Sequence, residues 1–326
     1  MLSTSRILAA LLTGLGIALI VGGLLAPRFL IGDGRMPLDL EHTTWTMVDP
    51  AGEYEGETQP VTRQLHMEVQ NPSNSEIASI RVGETLLAGE SENDFDNLVS
   101  AGTWTFSMDR RTGMPTGPLK LSNVMVLPET EVGQTGNWLK LPANAERTTY
   151  QVFDSTLRGT APANFAGEDE IEGRTVYRYT QDIEPTNLAL RYADMRNTKT
   201  QVDSEGNQTR SFLYYAAQRE LIVDQVSGLV VGVNEKVDTY YGDAQGARVE
   251  DVVRYDARMP QEQTASMVSQ LDGVFSQRQS QAVTTTVIVV GAILTLIGLV
   301  GALRPGRGYP GSANSVSGRV PTRRPS

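Results

Sequence analysis

Apolar residues are concentrated in two long uncharged runs, one near each end of this 326-residue chain. Residues 7–27 follow Arg6 without a charge, and residues 283–303 are rich in Val, Ile and Leu. About 20 such residues, at 1.5 Å rise per residue, cross the hydrocarbon core of a bilayer as a helix. Two transmembrane helices are therefore predicted. The first is interpreted as an uncleaved signal anchor, because its apolar run is longer than that of a secretory signal.

The charges that flank these runs predict their orientation. Five arginines follow residue 303, and no acidic residue occurs after Asp272. An Arg-rich flank favours the cytoplasmic side of a membrane. Both termini are therefore predicted to be cytoplasmic, with a short N-terminus at residues 1–6 and a basic tail at residues 304–326. The tail is rich in Pro, Gly and Ser, a composition typical of disorder.

Between the two runs, short segments alternate apolar with polar residues or are dense in β-branched and aromatic residues. Each is bounded by Gly, Pro, Asn or Asp, as strands usually are. Many strands joined by short turns favour an antiparallel sheet. The prediction is a mainly β, extracytoplasmic domain over residues 28–260, built as a single large antiparallel sandwich or barrel-like sheet. The predicted strands are residues 43–48, 62–69, 77–82, 103–108, 119–127, 148–153, 174–180, 211–216, 220–224, 228–241 and 247–255.

One segment between the runs has helical spacing. Met267, Val268, Leu271, Val274 and Phe275 recur at helical spacing within residues 261–282. This segment leads directly into the second apolar run. It is therefore predicted to be an amphipathic stalk helix that connects the β domain to the membrane.

Small residues in the two apolar runs predict how the membrane helices pack. Gly14, Ala18 and Gly22 are four residues apart, and Gly291 and Gly298 are seven apart. Stripes of small residues let two membrane helices approach closely. The two helices are therefore predicted to pair through these five positions. The alternative is that glycine is simply frequent in membrane helices.

Two stretches share a turn signature. Asp109 is followed by Thr112 and Gly113, and Asp224 is followed by Ser227 and Gly228. An Asp side chain can cap such a turn, and Gly adopts positive φ without steric cost. Hairpin turns are therefore predicted at Asp109, Gly113, Asp224 and Gly228.

The charge and cysteine content of the chain restrict its cellular compartment and the kinds of partner it can bind. All 38 acidic residues lie between the apolar ends with 22 of the 28 basic residues, so this central region has a net charge of −16. Such a surface repels nucleic-acid phosphates. There is no cysteine, which removes disulfides, thiol catalysis and cysteine-ligated metal sites. A bacterial envelope fits this composition best.

Candidate catalytic chemistry is sparse. The chain has two histidines, His42 and His66, and no Gly-x-Ser-x-Gly nucleophile motif. Acidic clusters occur at residues 90–96, 168–170 and 203–207, but none has the spacing of a calcium-binding EF-hand loop. Solvated acidic loops are the favoured interpretation and calcium binding the alternative. No catalytic residue, metal site or cofactor is predicted.

Four stretches carry a resemblance to a known family. They are residues 136–142 (GNWLKLP), 148–154 (TTYQVFD), 170–179 (EIEGRTVYRY) and 224–231. With the two flanking apolar runs, they resemble the actinobacterial porin PorA family, which is otherwise a domain of unknown function. That resemblance implies a water-filled channel in a mycolate-type envelope. It supplies no catalytic residue.

The residues favour a different use of the β domain. A membrane β-barrel needs strands of about 9–11 residues and girdles of aromatic residues, whereas the predicted strands are mostly shorter and aromatic residues make up 6% of the chain. The layout is similar to that of the class B scavenger receptors, which enclose a lipid-carrying cavity. The hypothesis is a non-enzymatic inner-membrane protein that binds or transports a lipid-like envelope molecule. An oligomeric channel and a structural scaffold for an envelope protein partner are the alternatives.

Overall fold

The computed structural model describes residues 4–29, 34–91, 93, 95–123, 128–133, 135–202, 206, 208–275 and 277–303. They form two compact units, one made by the helices near the two chain ends and the other within Pro27–Ala282. The predicted cytoplasmic tail lies outside the described residues. In chain order the elements are α1 (Thr4–Phe29), β1 (Thr44–Tyr54), β2 (Glu57–Gln70), β3 (Ile77–Ala88), β4 (Leu98–Asp109), β5 (Leu119–Ser122), β6 (Thr130–Val132), β7 (Tyr150–Asp154), β8 (Gly159–Ile171), β9 (Arg174–Asn187), β10 (Thr198–Val202), β11 (Gln208–Asp224), β12 (Val230–Gly242), β13 (Arg248–Arg258), α2 (Gln261–Ser269) and α3 (Gln277–Leu303).

The terminal unit consists of α1 and α3. Each contains a stretch long and apolar enough to cross a membrane, Arg6–Leu25 in α1 and Gln281–Leu303 in α3. Few of their side chains are buried in the protein, and many large apolar ones are exposed. A helix that exposes apolar residues around most of its surface is suited to a lipid environment.

The β unit is a single antiparallel sheet of thirteen strands among the described residues. The strand order is β6-β5-β4-β3-β2-β1-β13-β12-β11-β9-β8-β7, and β10 pairs with β11 outside this path. The prediction of a mainly β domain with one large antiparallel sheet and apolar terminal helices is confirmed. The sheet is open, because its edge strands β6 and β7 do not pair with each other.

The strands differ from the prediction in four places. The two predicted strands at residues 211–216 and 220–224 form one 17-residue strand, β11, because the whole segment pairs with β9 and β12. Strands β6, β8 and β10 were not predicted. The β8 sequence GTAPANFAGEDEI contains residues that are depleted in strands, so pairing with β7 and β9 and not local propensity holds it extended.

The predicted stalk is helical in two separate parts. The helix α2 ends at Ser269, and residues 270–274 form turns before α3 begins at Gln277. Leu271 and Val274 are buried with residues of α2, so the amphipathic face packs within the β unit. Arg174 Nη1 donates hydrogen bonds to the carbonyl oxygens of both residues, at 2.8 and 3.2 Å. These two hydrogen bonds satisfy backbone carbonyl groups that come just after the end of α2.

Strand β4 and the edge strand β7 both contact one connecting segment, residues 137–144, here called the bridging segment. Trp138 stacks on Phe106 of β4 at 5.7 Å and meets Phe153 of β7 edge-on at 5.4 Å. Asn137 also bridges to Val152 of β7. Aromatic side chains bury large apolar areas and dominate the energy of a core. The bridging segment therefore joins β7, at one edge of the open sheet, to β4, which lies two strands in from the other edge.

Candidate functional site

A cavity of about 300 Å³ lies on the inner face of the sheet. Its lining comes from β1 to β5 and β11 to β13, with further residues from the β7–β8 turn and the connection between β9 and β10. Alternate residues of a strand point to the same face. One face of these eight strands therefore surrounds the cavity.

Charged side chains occupy inward positions on the strands beside the cavity. Arg219 of β11 is in phase with the buried residues Tyr215 and Leu221, and Glu235 of β12 is in phase with Val237. Antiparallel pairing places Arg219 directly opposite Glu235.

Arg219 is at the centre of a buried hydrogen-bond network. Its Nε donates to Glu235 at 2.8 Å, and its Nη1 donates to Asp154. Its Nη2 lies 2.6 Å from the Tyr215 hydroxyl, which itself donates to Asp154 at 2.9 Å. The Tyr255 hydroxyl donates to Glu235 at 2.8 Å. Two carboxylates and one guanidinium are thus held together away from water, where such contacts are stronger than at a surface.

A second ion pair lines the cavity beside this network. Arg63 of β2 donates from Nη2 to Glu84 of β3 at 2.9 Å and to the Ser155 hydroxyl at 3.2 Å. Burial acts to lower the pKa of Arg63, but the charges of Glu84 and Glu235 outweigh it and raise that pKa. Arg63 therefore remains charged.

The buried carboxylates also remain charged. Burial acts to raise the pKa of Asp154, yet Arg219 and the backbone N–H of Leu157 lower it below the ordinary value for aspartate. Burial likewise opposes ionisation of Glu235, and Arg219, Arg63 and the Tyr255 hydroxyl lower its pKa. Opposite charges and donated hydrogen bonds favour the ionised form of a carboxyl group.

The connection between β9 and β10 forms one rim of the cavity. The guanidinium of Arg158 lies 3.7 Å from the ring centroid of Tyr192 and 3.2 Å from Asp194. An open groove of about 940 Å³ continues past these residues. Leu190 and Met195, which line the groove, are 84% and 89% exposed. The site thus combines buried ion pairs with a rim that carries the Arg158–Asp194 pair and exposed large apolar side chains.

The predicted turn residues lie on the outside of the cavity, around the bridging segment. Asp109 accepts hydrogen bonds from the backbone N–H groups of Arg111 and Thr112, and Gly113 has a φ of +70°. Although burial opposes it, the hydrogen bonds from Thr112 and Arg111 hold the pKa of Asp109 below its ordinary value. This is the geometry of an Asp-capped turn.

The second turn is built in the same way. Asp224 accepts from the backbone N–H and hydroxyl of Ser227 at 2.7 and 2.6 Å, and Gly228 has a φ of +73°. Arg174 adds a two-pronged ion pair with Asp224, at 2.8 and 3.0 Å. Lys140 of the bridging segment contacts both turns. Four predicted turn residues therefore converge on one structural element and not on the cavity.

The predicted helix-packing residues are only partly brought together. Gly291 and Gly298 of α3 lie against α1, where an added Cβ would be 2.7 Å from the carbonyl oxygen of Gly16 and 2.3 Å from the Thr13 hydroxyl, respectively. The α1 residues in closest contact with α3 are Gly16 and, one heptad further, Gly23. A seven-residue spacing keeps positions on one face of a helix pair.

The four-residue stripe on α1 lies on another face. An added Cβ at Gly14 or Gly22 has no described atom within 4 Å, and Ala18 is exposed. The sequence contained the signal for the correct face, because Ala9, Gly16 and Gly23 repeat at the same seven-residue spacing as Gly291 and Gly298.

The other candidates from the sequence have ordinary surface roles. His66 is half exposed and contacts the Thr44 hydroxyl at 2.8 Å. Glu168 and Asp169 form ion pairs with Arg147 and Arg178. Among the described residues, no group of three or more His, Cys, Asp or Glu side chains is arranged to hold a metal ion. Glu92, Asp94, Asp203, Glu205 and Asn207 lie outside the described residues.

The sequence analysis did not identify the charged residues at the cavity, because no motif or cluster in the sequence distinguishes any of them from a surface charge. The available signal was a charged residue in phase with apolar ones in an alternating strand. Arg63 occurs in the series Val61, Arg63, Leu65 and Met67, and Glu235 lies between Val233 and Val237 at the same spacing. A charge on the apolar side of a strand indicates an interior ion pair or a polar site.

One family model and two related proteins match this chain in sequence, and all three carry the description Porin PorA. The model of the family described as Porin PorA matches residues 8–300. A protein named Porin PorA from Corynebacterium resistens is 23% identical over 246 residues, covering 63% of this chain and 58% of that protein. Another Porin PorA, from Corynebacterium amycolatum, is 24% identical over 211 residues, covering 56% of this chain and 54% of that protein. The chain thus spans little more than half the length of these relatives.

One solved structure aligns broadly but poorly. A DUF1329 family protein from Desulfovibrio piger covers 73% of this chain and 76% of its own, at 9% identity and a TM-score of 0.20. A TM-score this low does not relate the two folds.

Proposed function

This chain belongs to the porin PorA family, and we propose that it is a non-enzymatic, membrane-anchored envelope protein that binds a lipid-like molecule in its β domain. The observation that carries this proposal is the interior cavity, with buried ion pairs beside it and a groove at its rim that exposes large apolar side chains. Ligand sites are usually concave, mostly preformed and equipped with a few placed polar groups. An amphiphilic molecule matches a site that has both kinds of surface.

The apolar rim supports a ligand with an apolar part. Leu190 and Met195 expose large side chains beside the groove, where an apolar chain would cover them. Covering such surface is favourable at about 25 cal/mol per Å². The groove also shares Arg158, Tyr192 and Asp194 with the cavity, so one ligand can occupy both.

The proposed topology places both termini in the cytoplasm and the β domain outside the inner membrane. The two apolar helices and the arginines after residue 303 support this arrangement. It would hold the cavity in the envelope, where amphiphilic molecules have to cross water between membranes.

The test uses the full-length chain purified in detergent, followed by mass spectrometry of its organic extract. Gly102 of β4 lines the cavity, and a side chain there would project toward Glu84 and Leu121. A Gly102→Leu variant therefore fills part of the cavity. Gly83, on the outer face of β3, gives the matched control variant Gly83→Leu, because its added Cβ meets only the carbonyl oxygen of His66 at 4.0 Å.

A molecule that is present in extracts of the unchanged chain and Gly83→Leu but depleted in Gly102→Leu would support binding in the cavity. Lipids held by the two helices would appear equally in all three extracts, so they would not contribute to a difference between the proteins. Identical extracts from the three proteins would contradict the proposal.

An oligomeric channel is the second candidate, and the shared family description Porin PorA favours it. The open sheet does not by itself span a bilayer, since a membrane-spanning sheet must close to satisfy its edge strands. A channel would therefore have to form through assembly of the helices. Discrete current steps in a planar bilayer, unchanged by Gly102→Leu, would favour the channel over ligand binding.

A further inference from the structure

We infer that the ligand of the β domain is an anionic amphiphile, whose carboxylate or phosphate group binds to Arg196 and Arg210 while its apolar chain covers Leu190 and Met195. This inference rests on the proposed ligand-binding function, and it adds the charge of the ligand and the place of its head group. It follows from the charges and the exposed apolar side chains that line the groove at the rim of the cavity.

Arginines outnumber acidic residues in the lining of this groove. Among the described residues that line it, the charged ones are Arg158, Arg196, Arg210 and Asp194, so three guanidiniums and one carboxylate leave a charge of +2. Burial acts to raise the pKa of Asp194, but hydrogen bonds from Arg196 lower it below its ordinary value, so this carboxylate is ionised. The groove is thus locally positive in a central region whose net charge is −16.

Neighbouring acidic residues of the described chain do not cancel this charge. Glu129 and Glu131 lie across from Lys120, on the face of β6 opposite to the one that lines the groove. Glu250 forms an ion pair with Lys199 at 2.6 Å, so that pair has no net charge. Interactions between exposed charges fade over about 8 Å at physiological salt. The arginines of the lining therefore govern the potential that a ligand meets in the groove.

The side chains of Arg196 and Arg210 are accessible to a ligand. Arg196 is 60% exposed, and its side-chain contacts with Asp194 are long, at 3.3 and 3.4 Å. Arg210 is exposed, and it forms no ion pair with a described carboxylate. Its Nη2 lies 3.4 Å from the hydroxyl of Thr198, two residues after Arg196, so the two arginines border the same part of the groove. A guanidinium can hold a carboxylate or phosphate through two N–H groups at once.

Arg158 leaves the side chain of Arg196 free to change partner. The guanidinium of Arg158 is only 10% exposed, stacks on Tyr192 and donates to Asp194 at 3.2 Å. Asp194 also accepts from the backbone N–H of Arg196 at 3.0 Å. These two hydrogen bonds satisfy the carboxylate without the Arg196 side chain. That side chain can therefore turn toward a ligand at little cost.

The apolar residues of the groove require a chain on the same ligand. Leu190 and Met195 are exposed, and Ala189, Ala193 and Phe212 extend the apolar lining. Covering this surface is favourable, which a small inorganic anion cannot do. An uncharged or cationic head group would leave the excess arginines without a counter-charge. An amphiphile with an anionic head group satisfies both parts of the groove.

The test uses the full-length chain in phosphatidylcholine nanodiscs, with the methionine methyl groups labelled with ¹³C. Four probes share a six-carbon chain and differ in head group: hexyl phosphate, hexanoate, hexylammonium and hexylglycerol. Inorganic phosphate is the head group without a chain. The readout is the methyl resonance of Met195, assigned through Met195→Leu. Its concentration dependence gives the dissociation constant, after correction for the uptake of each probe by protein-free nanodiscs.

Two double variants separate the groove from the rest of the surface. Arg196→Gln with Arg210→Gln removes two positive charges from the groove and keeps polar side chains there. Arg81→Gln with Arg258→Gln is the matched control, because these arginines are 50% and 75% exposed, lie outside the groove lining and form only long ion pairs of 3.8 Å. Substitution of exposed side chains changes stability little, so both variants should fold.

We expect hexyl phosphate and hexanoate to move the Met195 resonance and to bind at least tenfold more tightly than the other three probes. The groove variant should weaken their binding at least tenfold, because charge-assisted hydrogen bonds are lost. The control variant should change it less than twofold. The tighter of the two anionic probes identifies the head group as a phosphate or a carboxylate, and either result supports the inference.

Four results would overturn the inference. Hexylglycerol or hexylammonium binding as tightly as the anionic probes would show that a negative head group is not selected, while ligand binding itself would stand. Inorganic phosphate binding as tightly as hexyl phosphate would show a site for a free anion. Equal losses in the two double variants would exclude a specific role for the groove arginines. Failure of all probes would reject the inference, and the organic extracts would decide the proposed function separately, since an uncharged lipid depleted in Gly102→Leu would support that function alone.

Discussion

The Nζ of Lys140 donates a hydrogen bond to the carbonyl oxygen of Ser227 over 2.6 Å, and the lysine is completely buried. The same ammonium contacts the carbonyl oxygens of Arg111 and Leu141 at 3.1 and 3.0 Å. Arg111 and Ser227 belong to two turns that are far apart in sequence, one after β4 and one after β11. A single side chain of the bridging segment thus fastens both turns to the same point of the fold.

Replacing Lys140 tests the importance of this contact. Lys140→Met should lower the free energy of unfolding by about 2–4 kcal/mol, because carbonyl oxygens in a buried site would lose a charged donor. Lys120→Met is the control: Lys120 is half exposed, and its loss should change stability by about 0.5 kcal/mol or less. The measurement is the denaturant midpoint of the full-length chain, followed by near-ultraviolet circular dichroism. Equal midpoints for the two variants would exclude a stabilising role for Lys140.

The turn glycines test how closely the bridging segment approaches. Gly228 and Gly173 have almost the same φ, +73° and +72°. An added Cβ at Gly228 would lie 2.1 Å from the carbonyl oxygen of Leu141, whereas one at Gly173 meets nothing within 4 Å. Gly173→Ala should therefore cost about 1 kcal/mol for its backbone conformation, and Gly228→Ala about 3 kcal/mol because a steric clash is added. Comparable losses in thermal unfolding would contradict this difference.

The interior network is expected to tolerate the loss of its arginine poorly. Arg219→Met leaves Asp154 and Glu235 buried without their shared counter-charge, and it should destabilise the chain by about 3–5 kcal/mol. Arg254 forms an ion pair with Glu53 at the surface, so Arg254→Met should cost about 1 kcal/mol or less. Urea unfolding of both variants measures the difference. A small effect at Arg219 would indicate that its two partners are hydrated.

Acid should destabilise the β domain through the same carboxylates. The pKa values of Asp154 and Glu235 are lower in the folded chain than their ordinary values, so the unfolded chain binds more protons as the pH falls. Their contribution to stability is complete above about pH 5, and it is lost progressively as the pH falls through about 4 and then through the lowered values. Unfolding midpoints between pH 7 and pH 3 measure this loss. In Asp154→Asn, stability should fall less steeply with decreasing pH. An unchanged slope of stability against pH would contradict a contribution from Asp154.

The helix pair can be tested by cross-linking, because the natural chain has no cysteine. An added Cβ at Gly301 would lie 3.3 Å from the Cβ of Ala9, close to the separation that a disulfide requires. The double variant Ala9→Cys, Gly301→Cys should therefore cross-link on oxidation in membranes. Adding Gly291→Leu should reduce the yield at least several-fold, because a side chain there clashes with α1. Adding Gly14→Leu should leave the yield unchanged, and a similar loss in both would contradict the packing face.

Local properties of the sequence determined the architecture in outline. The two apolar runs predict helices because length and hydrophobicity alone decide whether a segment can cross a bilayer. The turns at Asp109 and Asp224 were predictable because an Asp cap and a positive-φ glycine act within five residues. Strand alternation between the runs predicted the single antiparallel sheet, which pairs mostly neighbouring strands.

The cavity that those elements surround depends on contacts between residues that are distant in the sequence. Arg219 and Glu235 are close in sequence, but Asp154 and Arg63 reach them from β7 and β2 because the sheet curls and the bridging segment joins β4 to β7. The face of α1 that meets α3 likewise depends on a distant partner. Turns and membrane helices are specified by short-range contacts, whereas a cavity is specified by residues that meet only after folding.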